Sequence, residues 1–260
     1  MVRQVAGGTQ RAGSAAAELA ELIRDSNRVV ALTGAGVSVP SGIPDFRTPG
    51  KGLWAKVDPV AVATIEAFHR DTQRFWDFYR PRFHDLADKE PNPAHTVLAE
   101  LERRGRLQAV ITQNIDRLHR KAGSEDVIEV HGSIATASCT SCGETYPLEQ
   151  VESLFDPDGV ATCTGCAGKV KPDVVLFGEL LPADAMARAE QLCSSADLLL
   201  CIGSSLEVHP VAGLPGLTLA QGGRIAIVTK SPTPYDSDAA VRLDGDVAEE
   251  LQAVLASLDG

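Results

Sequence analysis

The chain has no excess of positive charge. Lysine and arginine number 24 against 35 aspartates and glutamates, for a formal net charge of −11. That balance excludes non-specific attraction to nucleic acid or to an anionic membrane surface. Long apolar runs are missing as well. The longest, Leu198-Leu-Leu-Cys-Ile202, falls far short of the ~20 residues that cross a bilayer. Residues 1–14 carry Gly, Ala, Gln and Arg without an apolar core, so no signal peptide is expected there. Neither an internal repeat nor a low-complexity tail is present. Cysteines are few, six in all, and four of them fall in one pattern. The other two, Cys193 and Cys201, fit a reducing cytosol, and a cytoplasmic location is expected. Cys201 lies inside the apolar run and reads as a small core residue.

What is there suits a soluble globular protein: 44% hydrophobic and 23% charged residues, in a length of 260 that can bury a full core. The cysteine pattern is Cys139-Thr-Ser-Cys142 followed, 20 residues on, by Cys163-Thr-Gly-Cys166. Two such knuckles are a zinc signal. Four thiolates close a tetrahedral shell around Zn²⁺ and leave no position for water, so one structural zinc per chain is expected. The segment between the knuckles has few large apolar residues, and the metal is expected to hold it. Disulfides or redox pairs are the alternative.

Along the chain, short apolar runs alternate with helical patterns. Arg28–Thr33, Leu107–Thr112, Val127–Val130, Val174–Phe177, Leu198–Ile202 and Arg224–Thr229 read as strands. Ala15–Arg24, Pro93–Arg104, Pro182–Ser194, Val211–Ala220 and Val247–Ser257 read as helices. The expected fold is α/β: a Rossmann-like, mostly parallel sheet with helices on both faces, plus an inserted zinc module. The expected divisions are 14–48, 93–136 and 171–260 for the sheet domain, 49–92 for a loop and helical segment, and 137–170 for the zinc ribbon.

The strand Val29–Thr33 runs into Gly34-Ala-Gly-Val-Ser38. Glycines there permit close approach of an anion, and a following helix N-terminus would favour a pyrophosphate. The third glycine of the dehydrogenase fingerprint is absent. Gln113-Asn-Ile-Asp116 lies at the carboxyl end of a strand, where open α/β sheets place ligands; Asp116 also suits a helix cap.

At this point the chain resembles the sirtuin family of NAD-dependent protein deacylases. The matching pieces are Gly34–Ser38, Gly42-Ile-Pro-Asp-Phe-Arg47, Thr112–Asp116, His131-Gly132, both cysteine pairs, Phe177-Gly-Glu179 and Gly203-Ser-Ser-Leu206, in the family's order and spacing. The resemblance implies NAD cleavage to nicotinamide and transfer of a lysine acyl group to ADP-ribose. It assigns cofactor contact to Gly34, Ala35, Gly36 and Ser38, and then to Asp45, Phe46 and Arg47 in the loop beyond. Gln113, Asn114, Ile115 and Asp116 would hold the nicotinamide and its ribose, and Gly203, Ser204 and Ser205 the phosphates and adenosine. Val247 is included at the last helix. His131 would be the general base on a ribose hydroxyl, with Asn114 and Asp116 beside it; the other five histidines match no such position. Val175, Phe177, Gly178 and Glu179 would line an extended acyl-lysine peptide, paired as an added strand.

Two features depart from the common pattern. Thr229 stands where the family usually has an asparagine on the adenosine ribose, with Lys230 following as a possible substitute. Tyr79 and Arg82 form the Tyr-x-x-Arg pair that desuccinylases and demalonylases carry in the acyl pocket, but Pro81 lies between them. Acetyl is therefore expected as the main substrate, with acidic acyl groups secondary. Mono-ADP-ribosyl transfer at the same site, and a non-catalytic NAD or zinc-ribbon module, are the alternatives. The short tails fit a minimal, prokaryotic version.

Overall fold

The computed structural model describes residues 8–45 and 57–260. Ten helices and nine strands are seen among them. Helix α1 (Gly8–Asp25) leads into β1 (Val29–Thr33), and a 3-10 helix follows at Ala35–Ser41. Three helices, α2 (Pro59–Val62), α3 (Ile65–Arg70) and α4 (Thr72–Ala87), precede α5 (Pro93–Arg103) and β2 (Ala109–Thr112). Then come α6 (Leu118–Lys121), β3 (Val127–Glu129), β4 (Gly132–Cys139), β5 (Thr145–Pro147), α7 (Leu148–Val151) and β6 (Val170–Val174). The last third is α8 (Ala183–Ser195), β7 (Leu198–Ile202), α9 (Leu214–Ala220), β8 (Arg224–Val228), β9 (Ala239–Leu243) and α10 (Val247–Asp259).

Six strands form one parallel sheet in the order β3-β2-β1-β7-β8-β9. The chain builds outward one way from β1 and the other way from β7, so the switch point lies between those two. Open α/β sheets place ligands at that point, outside the strands' carboxyl ends. β1 and β7 are buried along their whole length, as parallel strands covered on both faces must be. On one face α1 presents Ala16, Leu19, Ala20 and Ile23, at helical spacing, to Leu251 and Val254 of α10 and to the sheet, with α5 beside them. On the other, Ala189, Leu192 and Cys193 of α8 and Leu214 of α9 cover Val30, Leu32, Leu199 and Cys201. Burial pushes the Cys193 thiol up to about 12 and the Cys201 thiol higher still, so both are inert core residues. Among the described residues no helix is long and apolar enough to cross a membrane.

A second, antiparallel sheet of order β5-β4-β6 carries the cysteine knuckles. The run Val174–Phe177, expected as a strand of the main sheet, is different. Its strand lies upstream at Val170–Val174 and pairs with β4, so the small sheet takes in residues on both sides of the 137–170 segment. The reason is a shared core. Phe68, Phe75, Trp76 and Phe83 of α3 and α4 pack against Ile134, Tyr146, Val151, Leu154 and Val170. The Trp76 indole donates to the Val170 carbonyl at 3.2 Å and meets Phe155 edge-on at 5.1 Å. Large apolar residues scarce between the knuckles are thus supplied by α3 and α4.

Candidate active site

The loops after β1 and β7 interlock at the switch point. Gly34 N–H donates to the Ile202 carbonyl at 3.0 Å, and Gly36 N–H to that of Gly203 at 2.8 Å. A Cβ on Gly36 would lie 2.7 Å from the Gly203 oxygen, and one on Gly203 (φ +60) would lie 2.3 Å from Val37 N. The glycines were expected to admit an anion; the atoms they approach most closely are each other's backbone. The helix that follows is a 3-10 turn, not an α-helix. Ala35 and Ser205 sit half-buried at the same rim, and Ser204 Oγ accepts from Gln113 Nε2 at 2.9 Å, tying β2's end to β7's. Asp45 is half-buried beyond Gly42; Phe46, Arg47 and the start of the following loop lie outside the described residues.

Behind the rim, buried polar groups form a chain. Ser38 Oγ donates to Asp116 Oδ2 at 2.6 Å and accepts from Asn114 Nδ2 at 3.1 Å. Asn114 Nδ2 also reaches the Gly34 carbonyl at 3.2 Å. The other Asp116 oxygen accepts from Leu118 N–H at 2.9 Å, so its expected helix-capping role and its place in the site coexist. Burial raises the Asp116 carboxyl, against the opposing bonds from Ser38 and Leu118. The Ile115 carbonyl accepts from Ile134 N–H at 3.2 Å, which links this loop to β4.

Sequence reading set His95 and His119 aside, yet both belong to this chain. Asn92 caps α5, and its N–H donates to His95 Nδ1 at 3.3 Å, which leaves the proton on Nε2, 3.5 Å from Ser38 Oγ. His119 Nε2 lies 2.9 Å from Thr33 Oγ1, and the two imidazoles meet edge-on at 4.8 Å. Burial lowers His95 to about 4 and His119 to about 3, so both are neutral near pH 7. The capping box at Asn92–His95 is the only sequence signal that marks either one.

His131 stands just past β3, half-buried. Its Nδ1 lies 3.0 Å from the Gln113 carbonyl. A carbonyl only accepts, so Nδ1 carries the proton and Nε2 keeps a lone pair. Burial lowers the His131 pKa; the bond to Gln113 opposes that more weakly. Gly132 has φ +73, and a Cβ there would come within 2.0 Å of the Asp173 carbonyl where β4 meets β6. That glycine lets the histidine leave the parallel sheet and enter the small one.

The expected adenosine end gathers at β8 and α10. Thr229 is buried, with N–H on the Leu243 carbonyl at 3.0 Å, and Val247 is buried in α10's first turn. Lys230 is paired with Asp246 at 3.0 Å. On the peptide side, Val175 N–H donates to the His131 carbonyl at 2.9 Å. Phe177 is tied through its backbone to Ala63 and Ile65, yet the residue is 51% exposed, and Leu180 nearby is 94% exposed. Glu179, expected to face substrate, has its carboxylate turned inward: Oε2 accepts from Leu176 N–H at 2.8 Å and from Lys171 Nζ at 3.1 Å. It closes the turn at Gly178, whose φ of +91 demands glycine.

Helix α4 continues through Pro81. Tyr79 packs on Phe75 and Phe83, with ring centroids at 4.5 and 5.4 Å, and burial pushes its phenol up to about 12. Arg82 folds back: its guanidinium donates to the Phe78 carbonyl and lies 3.6 Å over the Phe78 ring. Arg80 instead reaches Glu152 beside the zinc module and covers Phe155 at 4.2 Å.

Cys139, Cys142, Cys163 and Cys166 bring their sulfurs within 4.8 Å of one another. The Cys139–Cys166 and Cys142–Cys163 separations, 3.5 and 3.6 Å, are no disulfides. They approach the ~3.8 Å edge of a tetrahedron with Zn–S bonds of ~2.3 Å, so the four thiols fit one structural zinc. Backbone N–H groups of Cys142 and Ser141 pull the Cys139 thiol down to about 6, whereas, against the pull of the Gly168 N–H, the Cys142 and Cys139 sulfurs push the Cys166 thiol up to about 12, so a metal binding all four would release protons.

The sequence profile of the Sir2 family matches residues 34–210. The chain is 44% identical to an NAD-dependent protein deacetylase 1 of Pyrobaculum aerophilum, over 94% of both proteins. It is 41% identical to an NAD-dependent protein deacetylase of Thermotoga maritima, over 92% of this chain and 96% of that one. Among solved structures, a Sir2 histidine-to-alanine variant with a deacetylated p53 peptide and 3'-O-acetyl-ADP-ribose superposes with a TM-score of 0.88 at 40% identity, covering 92% and 96% of the two chains. Likeness of that extent takes in the interlocked loops, His131 and the thiol cluster together with the sheet that carries them, and the chain therefore belongs to the Sir2 family.

Proposed function

We propose that the chain is an NAD-dependent protein lysine deacylase that moves the acyl group of an acyl-lysine peptide to ADP-ribose, with acetyl as its main substrate. The observation that carries this reading is His131: half-buried and neutral, its Nδ1 proton spent on the Gln113 carbonyl and Nε2 left as a base. When bound, NAD supplies a ribose carbon that loses nicotinamide to the acyl oxygen and a ribose hydroxyl that receives the acyl group. The donor set fits it: a carboxamide at Asn114, a carboxyl at Asp116 and a neutral imidazole at His131, which follow β2 and β3 at the sheet's carboxyl edge, beside the switch point.

His131 Nε2 takes the proton from the ribose hydroxyl. Ser38 fixes the Asn114 amide and the Asp116 carboxyl, each of whose oxygens keeps a further lone pair for the nicotinamide amide. Gln113, Ser204 and the glycine rim orient ribose and phosphates. Exposed Phe177 and Leu180 receive the peptide, with Glu179 holding the turn instead of touching substrate. The zinc module, taken as 137–170, shapes the cleft without entering the chemistry, and the two free core thiols support a reducing, cytoplasmic setting.

Removal of succinyl or malonyl groups is the second reading. Tyr79 and Arg82 lie three residues apart on one unbroken helix, so they share a face despite Pro81. Mass spectrometry of NAD with a panel of acyl-lysine peptides tests both readings. Free lysine peptide, nicotinamide and O-acyl-ADP-ribose should appear in equal amounts. Nicotinamide release without acyl loss would point to ADP-ribosyl transfer.

A further inference from the structure

We propose that Arg242 is a positioning residue for the adenosine end of the cofactor, acting from the edge strand β9 on the loop that follows β8. The inference rests on the NAD reading above.

The loop 229–238 leaves the sheet on the same carboxyl edge as the Gly34 and Gly203 loops. Strands of a covered parallel sheet are normally apolar throughout. β9 is the edge strand of this sheet, and in it Arg242 lies between buried Val241 and Leu243. Its guanidinium is half-buried and directed at the loop. Nη2 donates to the Ser231 carbonyl at 3.0 Å and to that of Thr229 at 3.3 Å. Nε lies 3.2 Å from Asp236 Oδ1, and Nη1 lies 3.7 Å from Asp244 Oδ2. Nη2 thus hydrogen-bonds the near end of the loop, while Nε, buried without a hydrogen bond, is ion-paired with Asp236 at the far end. That far end is held again: Thr233 Oγ1 donates to Asp236 at 2.8 Å, and the Tyr235 hydroxyl to the Ala212 carbonyl at 2.9 Å.

The consequence falls on Thr229. Leu243 holds its N–H and Arg242 its carbonyl, so the position of its hydroxyl is set from β9. Lys230, the next residue, is engaged with Asp246 at the start of α10. A planar guanidinium can bond two carbonyls while keeping its charge beside a carboxylate; an ammonium on a flexible stem cannot hold that geometry.

The test uses the full chain, zinc-loaded, as wild type, Arg242→Met and Arg242→Lys. Calorimetric titration with ADP-ribose should show binding weakened about tenfold in Arg242→Met, with Arg242→Lys in between. The KM for NAD should rise in parallel, while kcat and the KM for acetyl-peptide stay within about twofold. ADP-ribose affinity within about twofold of wild type in Arg242→Met would overturn the proposal. Equal losses in kcat and peptide KM would also overturn it, by assigning Arg242 to the scaffold at large. Should Arg242→Met fail to fold, Asp236→Asn releases only the far end of the loop. It is expected to weaken ADP-ribose about threefold, and unchanged affinity there would equally refute the idea. A wild-type chain that neither binds ADP-ribose nor consumes NAD would instead sink the functional reading beneath it.

Discussion

Replacing His131 by alanine removes the half-buried imidazole that stands just past β3. Its Nδ1 proton is committed to the Gln113 carbonyl, so only Nε2 can take a proton, and alanine offers nothing in its place. Loss of a general base costs about 10²–10⁴-fold in turnover, or roughly 3–5 kcal/mol of transition-state stabilisation. The pH profile sharpens the test. Burial lowers the His131 pKa below its ordinary 6.5. At pH 7 more than about three-quarters of the imidazole is then neutral, and activity should be close to its plateau. On acidification, deacetylation should fall along a limb whose midpoint lies below 6.5, because only the neutral ring can accept the proton. The assay is NAD-dependent release of acetyl from an acetyl-lysine peptide, followed by mass spectrometry from pH 5 to pH 9. In His131→Ala the residual rate should lose that acid limb. A limb centred above 6.5, or a variant within tenfold of wild type, would refute the role given to His131.

Cys142→Ser should abolish the bound zinc, one per chain by metal analysis, and lower Tm, since α4's aromatic residues share the module's core; a metal-free variant of unchanged Tm would refute this. Gly132→Ala forces a Cβ to within 2.0 Å of the Asp173 carbonyl at φ +73 and should cost at least about 2 kcal/mol, lowering Tm by roughly 5 °C or more. His95 and His119 are held neutral by folding, at about 4 and about 3, so below pH 6.5 the unfolded chain binds the extra protons. Stability is thus full above that pH and drains as pH falls, by about 2 kcal/mol per histidine between pH 7 and pH 5. Urea unfolding should show a shallower decline in His119→Asn than in wild type. Arg82→Met should lower any desuccinylation at least about tenfold and leave deacetylation within about threefold, because only an acyl carboxylate needs the guanidinium; equal effects on both would give Tyr79 and Arg82 to the packing of α4.

The local patterns were legible from residue order alone. A β-branched run ending in Gly34-Ala-Gly36, the two cysteine knuckles, and polar residues at strand ends each depend on neighbours within a few positions, and each was read at its right place. So was the parallel sheet, because strands and helices alternate. Other features had no local signal. β4, with its small residues, and β9, with Arg242 inside it, do not read as strands. Glu179 resembles a substrate contact in sequence, but the tertiary fold brings Lys171 and the Leu176 N–H to it and turns it inward. The glycines of the first loop also have a structural partner that no local pattern announces: a Cβ on Gly36 would meet the backbone of Gly203, 167 residues later. His95 and His119 were silent because a histidine's role depends on which hydroxyls surround it. The zinc segment needed a core, and α3 and α4, remote in sequence, provided it. Sequence by itself determined most strands of the parallel sheet, the helices that cover it and the four clustered thiols, since propensity and spacing act over a few residues. Tertiary structure alone decided which polar groups face each other, because burial and hydrogen-bond partners arise only when distant segments pack.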